Sequence, residues 1–109
     1  MSERPCEALF ERLAATDPSR LLAMLPDLEP PDMTFAAEVA GRIGDSDAVR
    51  RAVLPLLEHP MPYVREGAIY GLSSHMDETT RSLIARLAVD DPSPGVRLAA
   101  EGAIEVDAL

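Results

Sequence analysis

Leu54-Pro55-Leu56-Leu57-Glu58-His59-Pro60-Met61-Pro62-Tyr63-Val64-Arg65 is the stretch whose reading decides the fold. Its first part is apolar and closes a helix that begins near Ser46. The segment His59-Pro60-Met61-Pro62 then reads as a turn, because proline lacks the N–H that would extend the preceding helix. Pro62 is also a good first helical residue, since its φ is already fixed near the helical value. Beyond it, Val64, Ala68 and Leu72 recur at helical spacing with Ile69 beside them. Two short helices joined by a tight turn follow from this, and neither can bury its apolar stripe alone.

Working outward, similar punctuation recurs at Asp17-Pro18, Pro30-Pro31-Asp32, Gly44-Asp45-Ser46, Met76-Asp77 and Asp91-Pro92-Ser93-Pro94. Each cluster supplies an N-cap oxygen or a proline together with a residue that cannot extend the helix before it. The sequence predicts seven helices, over about 3–15, 18–28, 33–43, 46–58, 62–74, 78–88 and 94–106. No stretch alternates with period two for long enough to predict a strand.

The helices repeat. A shift of 29 carries Ala23, Leu25, Pro26 and Leu28 onto Ala52, Leu54, Pro55 and Leu57, and Phe35, Val39 and Ala40 onto Val64, Ala68 and Ile69. A shift of 30 carries Val53, Leu54 and Leu57 onto Leu83, Ile84 and Leu87, and a shift of 32 carries Val64-Arg65, Ala68 and Leu72 onto Val96-Arg97, Ala100 and Ile104. Self-similarity at this period, with two helices per unit, predicts an all-α chain built as a short α-solenoid, because stacking is how each pair covers its apolar stripe. The expected organisation is one domain over 1–109, with a capping helix in 1–15 and helix pairs in 16–44, 45–75 and 76–109.

Composition agrees with this reading. Apolar residues make up 47% of the chain but aromatics only 4%, so the core must come from many small aliphatic contacts. All ten basic residues are arginine, and against 19 Asp and Glu they leave a net charge of −9. Such a surface repels nucleic-acid phosphates and anionic lipid, and it favours a basic protein partner or simply aids solubility. The lone Cys6 has no internal partner for a disulfide. No charged leader followed by an apolar run opens the chain, and no apolar run approaches the ~20 residues that span a bilayer, so a cytoplasmic protein is expected.

Two stretches resemble HEAT repeats: 54–65 followed by Ala68 and Leu72, and Asp90-Asp91-Pro92-Ser93-Pro94-Gly95-Val96-Arg97 followed by Ala100 and Ile104. The internal Pro55 in a first helix, and an Asp six residues before the Arg of a Val-Arg pair (Asp91 and Arg97), are similar to the family pattern. The short period is similar to the HEAT-like repeats of phycobilisome lyases. Two positions depart from it: His59 stands at the turn Asp of the middle repeat, and Ala36 stands where the first repeat would carry Arg. The resemblance implies a helical stack whose Val-Arg helices line one face, with Asp91 and Arg97 forming an ion pair that steadies a turn.

At ~100° per residue, Tyr63, Glu66 and Tyr70, with Ser73 beside them, lie opposite the inward stripe of the middle Val-Arg helix. The repeat offsets carry these positions to Thr34, Ala37 and Gly41 in one neighbour, and to Gly95, Leu98, Gly102 and Glu105 in the other. The face this predicts is poor in charge and rich in small residues. Tyr63, Glu66, Tyr70, Leu98 and Glu105 are its expected protein-binding residues, because tyrosine joins a large apolar area to a polar tip. The same tyrosines read equally well as packing between helices. Gly67 and Gly71, inside a helix, imply close packing. A second expected surface is the outer side of 94–106 around Val106, through which a second copy could pair.

Chemistry is sparse. His59 and His75 fall at opposite ends of one helix, too far apart to share a metal. The paired carboxylates Asp45/Asp47, Asp77-Glu78 and Asp90-Asp91 fall at expected helix starts, where they cap free N–H groups. No Gly-rich phosphate loop, His-Glu-x-x-His or Gly-x-Ser-x-Gly occurs. These readings point to a non-catalytic module without cofactor or metal: an adaptor, an accessory subunit or an immunity-type inhibitor. The family resemblance adds an alternative, a lyase or chaperone that handles a tetrapyrrole or its carrier.

Overall fold

Prolines set most of the helix starts. A computed structural model describes residues 5–109 and holds seven α-helices and no strand among them. These are α1 (Pro5–Thr16), α2 (Pro18–Met24), α3 (Pro30–Ala40), α4 (Ser46–Val53), α5 (Pro62–Leu72), α6 (Glu78–Asp90) and α7 (Pro94–Asp107). The expected start of the first helix at Glu3 lies outside the described residues. α3 begins at Pro30 rather than near Met33, because Pro30 and Pro31 occupy first-turn positions whose missing N–H groups would have no helical partner anyway. Asp45 and Asp77 do cap helices, accepting the Ala48 N–H at 3.1 Å and the Thr80 N–H at 2.8 Å. Asp90, expected at a helix start, instead closes α6.

Proline also shapes the helix interiors. α2 and α4 each tighten into 3-10 turns, at Leu25–Asp27 and Leu54–Glu58, where Pro26 and Pro55 break the α pattern. The 30-residue shift puts Ala85 at the corresponding position, and α6 runs unbroken for 13 residues.

The helices stack in two rows. α1, α3, α5 and α7 follow one another in an inner row, while α2, α4 and α6 cover them from outside. The core lies between the rows. Leu21, Leu25, Val49, Val53 and Ile84 enter it from the outer helices, and Val64, Ala68, Ile69, Leu72, Val96 and Ala100 from the inner ones, all without solvent exposure. The inward stripe read from 64–72 is therefore the stripe that is buried.

The turns are held by arginines acting on main-chain oxygens. Arg65 donates to the His59 carbonyl at 2.8 Å and Arg97 to the Asp91 carbonyl at 2.6 Å, each reaching six residues back. The expected carboxylate pair of Asp91 with Arg97 takes a different form. The Asp91 carboxylate is gripped by both Nε and Nη2 of Arg65 at 2.9 Å, with the Ser93 N–H at 2.9 Å as a third donor. The reason is geometric: Arg97 is already committed to the Asp91 carbonyl, and Asp91 faces the neighbouring repeat. Burial opposes ionisation of Asp91, but the Arg65 hydrogen bonds, the Ser93 N–H and the Arg97 charge outweigh it and hold the carboxyl below its ordinary range.

His75, in the turn after α5, is buried and ties two repeats together. Its Nε2 donates to the Gly41 carbonyl at 2.9 Å, and its Nδ1 meets the Ser46 hydroxyl at 2.7 Å. Arg50 donates to the His75 carbonyl at 2.8 Å and pairs with Asp77 at 3.1 Å and Asp47 at 2.7 Å.

Candidate functional site: a groove between two inner helices

The inner row has two junctions of opposite character. Between α3 and α5 the backbones nearly touch. The Thr34 hydroxyl donates to the Tyr63 carbonyl at 2.7 Å. A Cβ on Gly67 would fall 2.2 Å from the Thr34 hydroxyl, and one on Gly71 would fall 2.2 Å from the Ala37 carbonyl. Both glycines thus serve close packing. Thr34, Ala37 and Gly41, expected on an open face, are the surface against which α5 lies, and Ala37 is wholly buried. That corrects the picture of one face running across α3, α5 and α7 alike. α5 covers its first third.

Between α5 and α7 the row opens. Glu66, Tyr70 and Ser73 from α5 and the turn after it, with Gly95, Leu98, Ala99, Gly102, Ala103 and Val106 from α7, line a groove of about 560 Å³. The offsets explain it. Where α3 presents Thr34, Ala37 and Gly41 to its neighbour, α5 presents Tyr63, Glu66 and Tyr70. At the last two of these positions α5 carries the larger side chains, Glu66 and Tyr70, and both line the groove. A Cβ on Gly95 would meet the Glu66 carboxylate at 2.7 Å, whereas one on Gly102 would meet nothing within 4 Å. The Arg65–Asp91 pair pins the other end of the same junction.

Of the residues expected from sequence, the groove brings together Glu66, Tyr70 and Leu98. Tyr70 is 50% exposed and Leu98 68% exposed, large values for apolar side chains facing one cleft. Tyr63 is exposed at the start of α5, and Glu105 is exposed on α7, both outside the groove lining. Val106, expected on a separate array-end surface, lines this groove, so the two expected surfaces meet at one edge. Ala99 and Ala103 lie outside the face expected from sequence because the 32-residue shift puts them at the close-packing positions of Gly67 and Gly71. They form the groove floor while remaining almost buried.

Glu66 is the one charged residue in the lining. It acts on a neighbour: partial desolvation first, and the Glu66 charge second, hold the Glu38 carboxyl above its ordinary range. A smaller cleft of about 340 Å³ lies in the outer row between α2 and α4, lined by Ser19, Leu22, Ala23, Ala48, Arg51 and Ala52. Among the described residues no group of three or more His, Cys, Asp and Glu is arranged to hold a metal ion, and no helix is long and apolar enough to cross a membrane.

Stacked helix pairs with a groove along the inner row define the class: a repeat protein of short α-solenoid type. The family model for HEAT repeats matches residues 7–105, nearly the whole chain, and the chain belongs to the HEAT-repeat family. No curated protein and no solved structure matches it.

Proposed function

We propose that this chain is a non-catalytic protein-binding module, of the adaptor, accessory-subunit or immunity-type inhibitor kind, that docks a basic protein on the Val-Arg helix face at the α5–α7 groove. The observation that carries this reading is the groove itself, with Tyr70, Leu98 and Val106 exposed along one cleft. Exposed large apolar residues clustered in a concavity mark contact sites more strongly than the same residues scattered singly. Glu66 lies inside the groove, and the proposal extends the contact to the exposed Tyr63 and Glu105 beyond its lining. The basic character of the partner follows from the net charge of −9. A cytoplasmic location belongs to the same proposal and fits a single exposed cysteine without a disulfide partner.

The alternative, a lyase or chaperone for a tetrapyrrole, calls for an arginine or histidine facing the pigment. The groove offers Glu66 instead, which would repel a pigment's carboxylates. Pairing of two copies through α7 meets the obstacle of like charge on both faces.

Affinity capture from native lysate, followed by titration of the recovered protein, tests the proposal. Tyr70→Ala is expected to cost about 2 kcal/mol of binding, roughly a 30-fold loss, with folding stability nearly unchanged because the side chain is half exposed. Association should also weaken between low and physiological salt. Undiminished affinity in Tyr70→Ala would move the contact away from the groove.

A further inference from the structure

The acidic residues around the groove are arranged along its length. On α7, Leu98, Gly102 and Val106 recur every four residues and form one apolar stripe roughly 12 Å long at 1.5 Å per residue. Glu101 and Glu105 stand on the same helix along the outer side of that stripe, both exposed, and Glu66 borders it from α5. Among the described residues no ion pair engages any of these three carboxylates, although arginines pair with acids elsewhere. Glu66 is crowded further by Glu38. An apolar track edged on both sides by uncompensated negative charge is the complement of an amphipathic helix with basic flanks.

Resting on the protein-binding reading above, we propose that the groove receives a single amphipathic α-helix of a basic partner. Its small apolar stripe lies over Leu98, Gly102 and Val106, and its arginines or lysines reach Glu66 on one side and Glu101 and Glu105 on the other. Close approach fits a helix better than an extended strand, since Gly102 leaves room along the stripe for the incoming backbone. The α3–α5 junction shows the same device inside the molecule, where Gly41, two repeats earlier at the position of Gly102, lets α5 approach. A second copy is the poorer occupant. A two-fold contact through α7 would set Glu101 and Glu105 against their own counterparts and bring together two chains of charge −9.

The test uses the full chain and a synthetic helical peptide of about 15 residues, roughly four turns. The peptide carries a Leu/Ala stripe with Lys and Arg flanks, and its control has those flanks replaced by Glu. Amide shifts followed by NMR should move at Leu98, Gly102, Val106 and Tyr70 with the basic peptide and stay still with the acidic one. Glu101→Gln combined with Glu105→Gln should weaken binding about fivefold, as expected for a few exposed charge pairs. Equal binding of both peptides would overturn the inference, as would shifts confined to Leu22 and Ala52 in the outer cleft. A dimer seen by sedimentation and dissociated by Val106→Glu would assign the face to a second copy instead. If the natural partner binds and is weakened by Tyr70→Ala while neither peptide binds, the helix assignment falls and the protein-binding reading stands.

Discussion

The α3–α5 and α5–α7 junctions are built from the same repeat positions and differ only in what fills them. At the first, Thr34, Ala37 and Gly41 meet Gly67 and Gly71, and the helices close until a hydroxyl reaches a main-chain oxygen across the gap. At the second, Glu66 and Tyr70 face Gly95, Ala99, Gly102 and Ala103, and a cleft remains. Side-chain bulk at two positions, Ala37 against Glu66 and Gly41 against Tyr70, separates a packed seam from a surface that can receive something. In a helical stack the place of a binding site can thus be set by a few residues without altering the fold.

The largest expected effect sharpens the second junction. Its cohesion rests on the Arg65–Asp91 pair, whose side chains keep only 11% and 3% of their surface exposed. Asp91→Ala leaves a guanidinium buried without its partner and should cost about 4 kcal/mol, read as a lowered midpoint in chemical denaturation. The pair also sets a pH dependence. Because Asp91 is held below its ordinary value, its contribution is complete above the unfolded carboxyl pKa of about 4 and is lost as pH falls through the lower folded value. Wild type should therefore lose more stability on acidification than Asp91→Asn does. Equal acid sensitivity would remove the pair from the account of this junction.

A middling effect is expected at the closed junction. Gly71→Ala pushes a methyl to 2.2 Å from the Ala37 carbonyl, and a main-chain atom cannot yield as a side chain can. Overpacking of this kind should cost about 2 kcal/mol, exceeding the ~1 kcal/mol that alanine gains in helix propensity. The smallest effect has the opposite sign. Gly102→Ala meets nothing within 4 Å and should stabilise by up to about 1 kcal/mol. Thermal melts of the two variants check this directly. Shifts of the same sign would erase the contrast between closed and open junctions.

How far the sequence reveals all this depends on which interactions decide each feature. The seven helices and their stacking follow from proline placement, capping residues and the 29–32-residue repeat, which are local or periodic signals. The face of α5 that carries Glu66 and Tyr70 follows from helical phase alone. Three features depend on contacts between repeats and leave no local trace. Helical phase cannot tell that Ala37 and Gly41 are covered by a neighbour while Gly102, at a matching position, is open. The Asp91 carboxylate takes Arg65 from the preceding repeat, because Arg97 is spent on the Asp91 carbonyl. Likewise, His75 bridges Gly41 and Ser46 from one repeat to the next, and nothing in its own flanks announces it. Pro30 and Pro31 leave the start of α3 ambiguous in sequence, since proline marks both the end of one helix and the first turn of the next.

The most direct test of the central claim fills the groove without touching the core. Gly102→Phe places a large side chain into the space between Tyr70 and Val106, where a Cβ meets no neighbour. If the α5–α7 groove is the docking surface, this variant should melt within about 1 kcal/mol of wild type in stability, while affinity for the protein recovered from lysate falls at least ~30-fold. Parent-level affinity in a fully folded Gly102→Phe would contradict the account and move the functional surface elsewhere on the array.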